Sequence, residues 1–335
     1  MPSAPPLVTV VIPAFNAEPF IREAIVSIQR QTIDDWQLVV VDDGSTDQTM
    51  AVAIQAAGND PRVRLIRLDQ NQGITVASNV AFDEAEGEFI ARLDADDRAL
   101  ASRLAVQIAA FKDCDHLAAA GSHARVFGDV AEGIAYCALG DANIKARLLD
   151  GRNTISGGTL MVRRSFVREH HIRFDERLAS AEDLDYLASI MAAGGQLANV
   201  DQVLTEHRSH ATSFTASRYD IGRQYLQTFR RRLLALWYPG LDPHDLDLIV
   251  EMFFEPYPPH IEALLATLRA IDRLIVASAD DYGQDTSIVH TIILERLLKM
   301  AALYRDHSLL NASHLQAIRC FASSATNAAL NQLGL

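Results

Sequence analysis

Apolar residues along this chain gather in two alternating rhythms. "LVTVVIPAF" (residues 7–15) is a continuous, largely β-branched run stopped by Pro13, and "WQLVVVDDGS" (36–45) repeats the arrangement with Gly44 as the stop. Runs without polar alternation belong to strands buried on both faces, as in a parallel sheet. Between them "AEPFIREAIVSIQRQT" sets Phe20, Ile21, Ala24, Ile25 and Ile28 at helical spacing, which completes a βαβ unit. The rhythm continues through "TDQTMAVAIQAA" as helix, "VRLIRL" as strand, "GITVASNVAFDEA" as helix and "EFIARL" as strand. Such alternation predicts an α/β, Rossmann-like first half.

From Ala101 to about Thr215 the pattern is α+β. It shows a helix at "SRLAVQIAAF", strands at "HLAAAGSHARVF" and "SGGTLMVRR", and a helix at "EDLDYLASIMAAGG". From Arg218 onward it is almost wholly helical, with "YPGLDP" and "EPYPPH" as punctuation. The expected organisation is residues 1–217 as one α/β domain, nucleotide-binding over 1–100 and acceptor-binding over 101–217, with 218–335 as a helical extension.

The chain has 335 residues, 49% of them apolar, enough for a sizeable core. A net charge of −13 argues against a nucleic-acid partner and implies that any phosphate ligand arrives with a cation. Cys114, Cys137 and Cys320 are too scattered for a disulfide framework or a zinc site. The opening "MPSAPPLVTVVIPAF" lacks a signal-peptide pattern and charges interrupt every apolar stretch, so a cytoplasmic location is expected, with the inner face of the cell membrane as the alternative. "RQYLQTFRRRLLALWYPG", with Trp237 and Tyr238 beside basic residues, has the composition of an interfacial helix, while the simpler reading of the extension is core or an oligomer interface.

Ligands of an open α/β sheet bind at the carboxyl ends of its strands. Here those ends carry "PAFNAE" (13–18), "DDGSTD" (42–47), "DQNQG" (69–73) and "DADD" (94–97). Each has a plain structural reading: Ser45 three residues before Gln48 forms a capping box, and "NQG" makes an ordinary turn. The acidic cluster stands out, because Asp94 and Asp96 on an extended segment face the same side and suit one hard cation shared with phosphate oxygens; the rival reading is a solvated acidic turn.

Residues 8–49, residues 71–97, "FDERLASAEDLDYLASIMAAGG" (174–195) and "HRSHATSFT" (207–215) together resemble family 2 glycosyltransferases of the GT-A fold. The resemblance implies an inverting transfer from a nucleotide-sugar, with a UDP-sugar as the expected donor, to a glycan or glycolipid hydroxyl in polysaccharide or glycoconjugate synthesis. By position it assigns Pro13, Phe15 and Asp43 to uracil, Asp94 to ribose, and Asp96 with His210 to Mn²⁺ or Mg²⁺ on the diphosphate. Asn16, Glu18, Asn71 and Gly73 then border the donor pocket, Glu182 orients its loop, and Asp183 is the general base. Ser180, three residues before Asp183, is an expected N-cap. Ser78 stands where the family often has an arginine, which removes an expected cationic contact to phosphate. Two other classes fit part of the pattern: an Asp-x-Asp phosphohydrolase and a non-catalytic nucleotide-binding scaffold.

Overall fold

A computed structural model describes residues 5–178, 181–210, 219–254 and 261–306. The first hundred residues alternate as their periodicity predicts. Strands β1 (Val8–Ala14), β2 (Trp36–Asp42), β3 (Val63–Arg67) and β4 (Phe89–Arg92) are joined through helices α1 (Ile21–Gln29), α2 (Thr49–Ala57) and α3 (Ile74–Asp83). The strands pair in parallel in the order β3-β2-β1-β4, so all four carboxyl ends meet along one edge.

Beyond β4 follow β5 (Arg98–Ala99), α4 (Arg103–Lys112), β6 (Leu117–Gly128), β7 (Gly133–Ala135), α5 (Asp141–Arg147), β8 (Met161–Arg163), α6 (Arg164–Glu169), α7 (Glu182–Ala192) and β9 (Gln196–Ser209). They extend the sheet as β4-β8-β6-β9-β5, with β7 on β6, and β8 runs antiparallel to both neighbours. Helices α8 (Tyr219–Trp237), α9 (Pro243–Glu251), α10 (Ile261–Val276) and α11 (Thr286–Asp306) follow.

Successive strand side chains point to opposite faces, and that alternation divides the core into two layers. Val8, Val10 and Ile12 pack with Ile21, Ile25, Ile28, Leu104 and Phe111 on one face. Val11, Val39 and Val41 face α3, α7 and the helical extension on the other, in a cluster that continues through Trp237, Leu268 and Leu297.

Several local expectations are revised. Helix α2 begins at Thr49 and no side chain of its cap residue Gln48 closes it, so the Ser45 capping box does not form; Glu18 and Asp47 accept from the Gln48 and Thr49 amides instead. In "SGGTLMVRR" only Met161–Arg163 is strand, because Gly157–Thr159 turns as a 3-10 helix. Ser180 lies outside the described residues, and Ala181 is the residue that precedes α7. Trp237 and Tyr238 are 0% and 1% exposed, so this aromatic pair belongs to the core and offers no interfacial anchor. Among the described residues no helix is long and apolar enough to cross a membrane.

Candidate active site

The loops after β1 and β2 are laced together. Asn16, at φ 48°, donates its amide to Ser45 Oγ at 2.9 Å and accepts from the Thr46 amide at 2.9 Å. Asparagine tolerates that left-handed conformation because its short side chain bonds locally. Neighbouring Phe15 is left 46% exposed beside these loops, while Pro13 is buried within β1 opposite Val41.

Asp43 is buried and turned into the loop after β3. Its carboxylate accepts from the Gln72 and Gly73 amides at 2.8 Å each and from Asn71 Nδ2 at 3.0 Å. Gly44 explains the tightness of the joint: at φ +65° it lies so close to Gln70 that a Cβ would come 2.5 Å from that residue's carbonyl carbon.

The "DADD" segment makes a tight turn between β4 and β5, and its three acids go to different partners. Asp94 Oδ1 lies 3.1 Å from Arg92 Nη2, a charge contact without hydrogen-bond alignment. Asp96 Oδ2 lies 2.9 Å from His210 Nε2, and the His210 ring packs 4.7 Å from that of Phe20. Asp97, 1% exposed, accepts from the Arg208 amide at 2.8 Å and bonds His207 Nδ1 at 3.1 Å. The solvated-turn reading therefore fails at Asp97, while Asp94 turns one oxygen toward Arg92 and Asp96 one toward His210.

Burial pushes the Asp97 carboxyl up to about 6, and the hydrogen bond to Asp97 raises His207 to about 9. Arg208 adds a second tie, with Nε on the Asp96 carbonyl at 3.0 Å and Nη2 on Glu23 at 2.7 Å. The end of β9 is in this way fastened to the acidic turn.

Asp183 and Glu182 open α7, where the helix dipole favours negative charge. Glu182 is buried, and Asp183, with its side chain 31% exposed, binds Arg92 Nη1 through Oδ1 in a short ion pair. Burial raises the Asp183 pKa, Arg92 opposes the rise, and Asp94 adds to it. Two glycines make room for this convergence. A Cβ on Gly157 would overlap Asp183 Oδ2, and one on Gly158 would come within 3.0 Å of Asp97 Oδ2 and Asp94 Oδ2.

Arg92, Gly157, Gly158, His207 and Arg103 were not singled out from the sequence. Arg103 is buried beneath the turn, donates to the Arg92 carbonyl at 2.6 Å, and is lowered to about 10 by burial. The only sequence sign of Arg92 is a charge on the last residue of an otherwise apolar strand, which ordinarily reads as a boundary. Ser78 is buried in α3, and its Oγ has no hydrogen-bond partner among the described residues. The Ser213 and Thr215 portion of "HRSHATSFT" lies outside those residues. Among them, no three His, Cys, Asp or Glu side chains are grouped to hold a metal ion.

The acidic strand ends of an α/β sheet thus stand beside an acid that opens α7. The family model for glycosyl transferase family 2 matches residues 9–170. An uncharacterized glycosyltransferase of Haemophilus influenzae is 29% identical over 297 residues, covering 86% of this chain and 90% of the relative. The succinoglycan biosynthesis protein ExoO of Rhizobium meliloti is 34% identical over 206 residues, and the match spans 58% of each chain. Among solved structures, S. aureus TarS 1-349 in complex with UDP-GlcNAc aligns at a TM-score of 0.60 with 20% identity, covering 89% of each chain. The mannosyltransferase PcManGT of Pyrobaculum calidifontis, in complex with GDP-Man and Mn²⁺, aligns at 0.51 with 19% identity over 99% of this chain and 81% of its own. Residues 9–170 form a family 2 glycosyltransferase domain, and the chain has the GT-A fold. It is a glycosyltransferase, which sets aside the phosphohydrolase and scaffold readings.

Proposed function

We propose that this glycosyltransferase moves a sugar from a UDP-sugar to a hydroxyl of a glycan or glycolipid acceptor, inverting the anomeric centre. The observation that carries the reading is the pairing of Asp94 and Asp183 through Arg92, with Asp96 beside His210, at the carboxyl end of β4. The donor's base lies against exposed Phe15, in a pocket whose wall is the 71–73 loop held by Asp43. Three of about four lone-pair positions on Asp43 are taken by that loop, which leaves one for the uracil N3–H. Asn16 and Glu18 brace the neighbouring loop through Thr46 and Gln48.

One carboxylate oxygen and one imidazole nitrogen, 2.9 Å apart, form a donor set that suits a divalent ion completed by phosphate oxygens. Asp96 and His210 would hold Mn²⁺ or Mg²⁺, and the ion would supply charge neutralisation for the departing diphosphate. Asp94 lies beside the ribose. The Asp183 carboxylate takes the proton of the acceptor hydroxyl as its oxygen forms the new bond to the anomeric carbon. The bond to UDP breaks with its electron pair on the diphosphate.

The test measures UDP release from a panel of UDP-sugars with Mn²⁺ and mixed glycan acceptors, next to phosphate release from small phosphoesters. Acceptor-stimulated UDP release without phosphate release is expected. Phosphate release from the esters, with no response to any UDP-sugar, overturns the proposal.

A further inference from the structure

A buried arginine at the end of β4 is unexplained by donor binding or by the fold alone. Arg92 is 3% exposed, and an unpaired guanidinium at such a position costs several kcal/mol. Its charge is answered from three sides. Nη1 meets Asp183 Oδ1, Nη2 lies 3.1 Å from Asp94 Oδ1, and Glu182 adds its charge from the first turn of α7. The guanidinium lies 5.8 Å from the Phe174 ring centroid, and Phe174 stacks on buried Tyr186 at 4.2 Å. Below, the Arg92 carbonyl is held by Arg103. A Cβ on Gly157 would come 3.0 Å from Nη1, so Arg92 has an aromatic floor and a glycine wall and little freedom to move.

The consequence lies in which oxygens remain. With Oδ1 of Asp183 engaged by Arg92, Oδ2 is the atom left to face a substrate, and the same cation fixes Asp94. We propose that Arg92 is a positioning residue for transfer: hydrogen-bonded to Asp183 Oδ1 and in charge contact with Asp94, it orients the Asp183 carboxylate so that Oδ2 is presented to the acceptor hydroxyl. The proposal rests on the role given to Asp183 under the proposed function. A lysine in this place keeps the charge but has no rigid fork for two carboxylates.

The test uses the full chain with Arg92→Met, Arg92→Lys, Asp183→Asn and the Arg92→Met/Asp183→Asn double variant. In thermal unfolding, the double variant should lose less than the two single losses added together, because removing Arg92 alone leaves the Asp183 carboxylate without its cationic partner. Simple additivity means there is no bridge and overturns the proposal, and this arm needs no substrate. In UDP release from the best donor of the panel, Arg92→Met should lower kcat by about 10²-fold with KM changed by less than about threefold, and Arg92→Lys should recover part of the loss. Equal loss of calorimetric UDP affinity and kcat, unrelieved by lysine, assigns Arg92 a merely structural role and overturns the proposal. A wild-type chain that acts on no nucleotide-sugar contradicts the proposed function instead, and the thermal cycle still decides the bridge.

Discussion

At the scale of single residues, the site is a problem in crowded negative charge. Asp94, Asp96, Asp97 and Asp183 stand close enough to influence one another, and each meets a basic side chain: Arg92 for Asp94 and Asp183, His210 for Asp96 and His207 for Asp97. Replacing Asp183 with Asn should leave UDP affinity nearly unchanged and lower turnover by about 10²–10⁴-fold, checked by calorimetry and steady-state kinetics side by side. A general base must be ionised to act, and burial raises the Asp183 pKa above the ordinary aspartate value. Activity should therefore rise with pH along an acidic limb placed higher than that of an exposed aspartate, a limb the Asn variant lacks. Gly157→Ala tests the packing: its methyl group would overlap Asp183 Oδ2, so transfer should fall while the loops around Asp43 keep binding UDP.

Among elements, β9 shows where sequence patterns stop informing. Strands β1 to β4 and helices α1 to α3 are legible because each carries its own period and a short connection fixes its neighbour. The 14 residues of β9 carry no clean alternation, and their strand character comes from pairing with β6, some eighty residues earlier, through a register with several shifts. A window along the chain cannot see such a partner. The same holds for Asp97: its acidity was legible, but its task of fastening β9 depends on residues about 110 positions away. Arg92 and Gly157 stayed hidden for a related reason, since a strand-end charge and a glycine turn acquire meaning only when α7 arrives beside them. Asp97→Ala should cost about 1–3 kcal/mol and loosen the end of β9, read as a lower Tm together with weaker Mn²⁺-dependent UDP binding. Asp97→Asn should recover part of the Tm, because its side-chain carbonyl can still accept from Arg208.

For the whole molecule, the basic run in α8 ties the helical extension to the segments that follow α5 and precede α7, and to its own next helix. Arg230 is buried, donates to the Leu149 and Asp150 carbonyls, and lies 4.8 Å from the Phe253 ring centroid. Arg231 pairs with Asp247 in α9, and Arg232 reaches Asp175 at 3.2 Å. Hydrogen bonds from Arg177 and Arg232 hold the Asp175 carboxyl well below the ordinary carboxylate range, so its contribution is complete above the unfolded-state pKa and is lost as pH falls through the lowered one. Because both arginines are substantially exposed, Asp175→Asn should cost only about 0.5–1 kcal/mol at neutral pH, and melts of the two chains should converge in strong acid. Whether the acidic edge of the sheet takes a nucleotide together with an ion is read by titration calorimetry with UDP in the presence and absence of Mn²⁺. Binding heat that requires the ion and disappears in Asp96→Ala is the expected result. Equal UDP affinity with and without Mn²⁺, unchanged by that substitution, would contradict it.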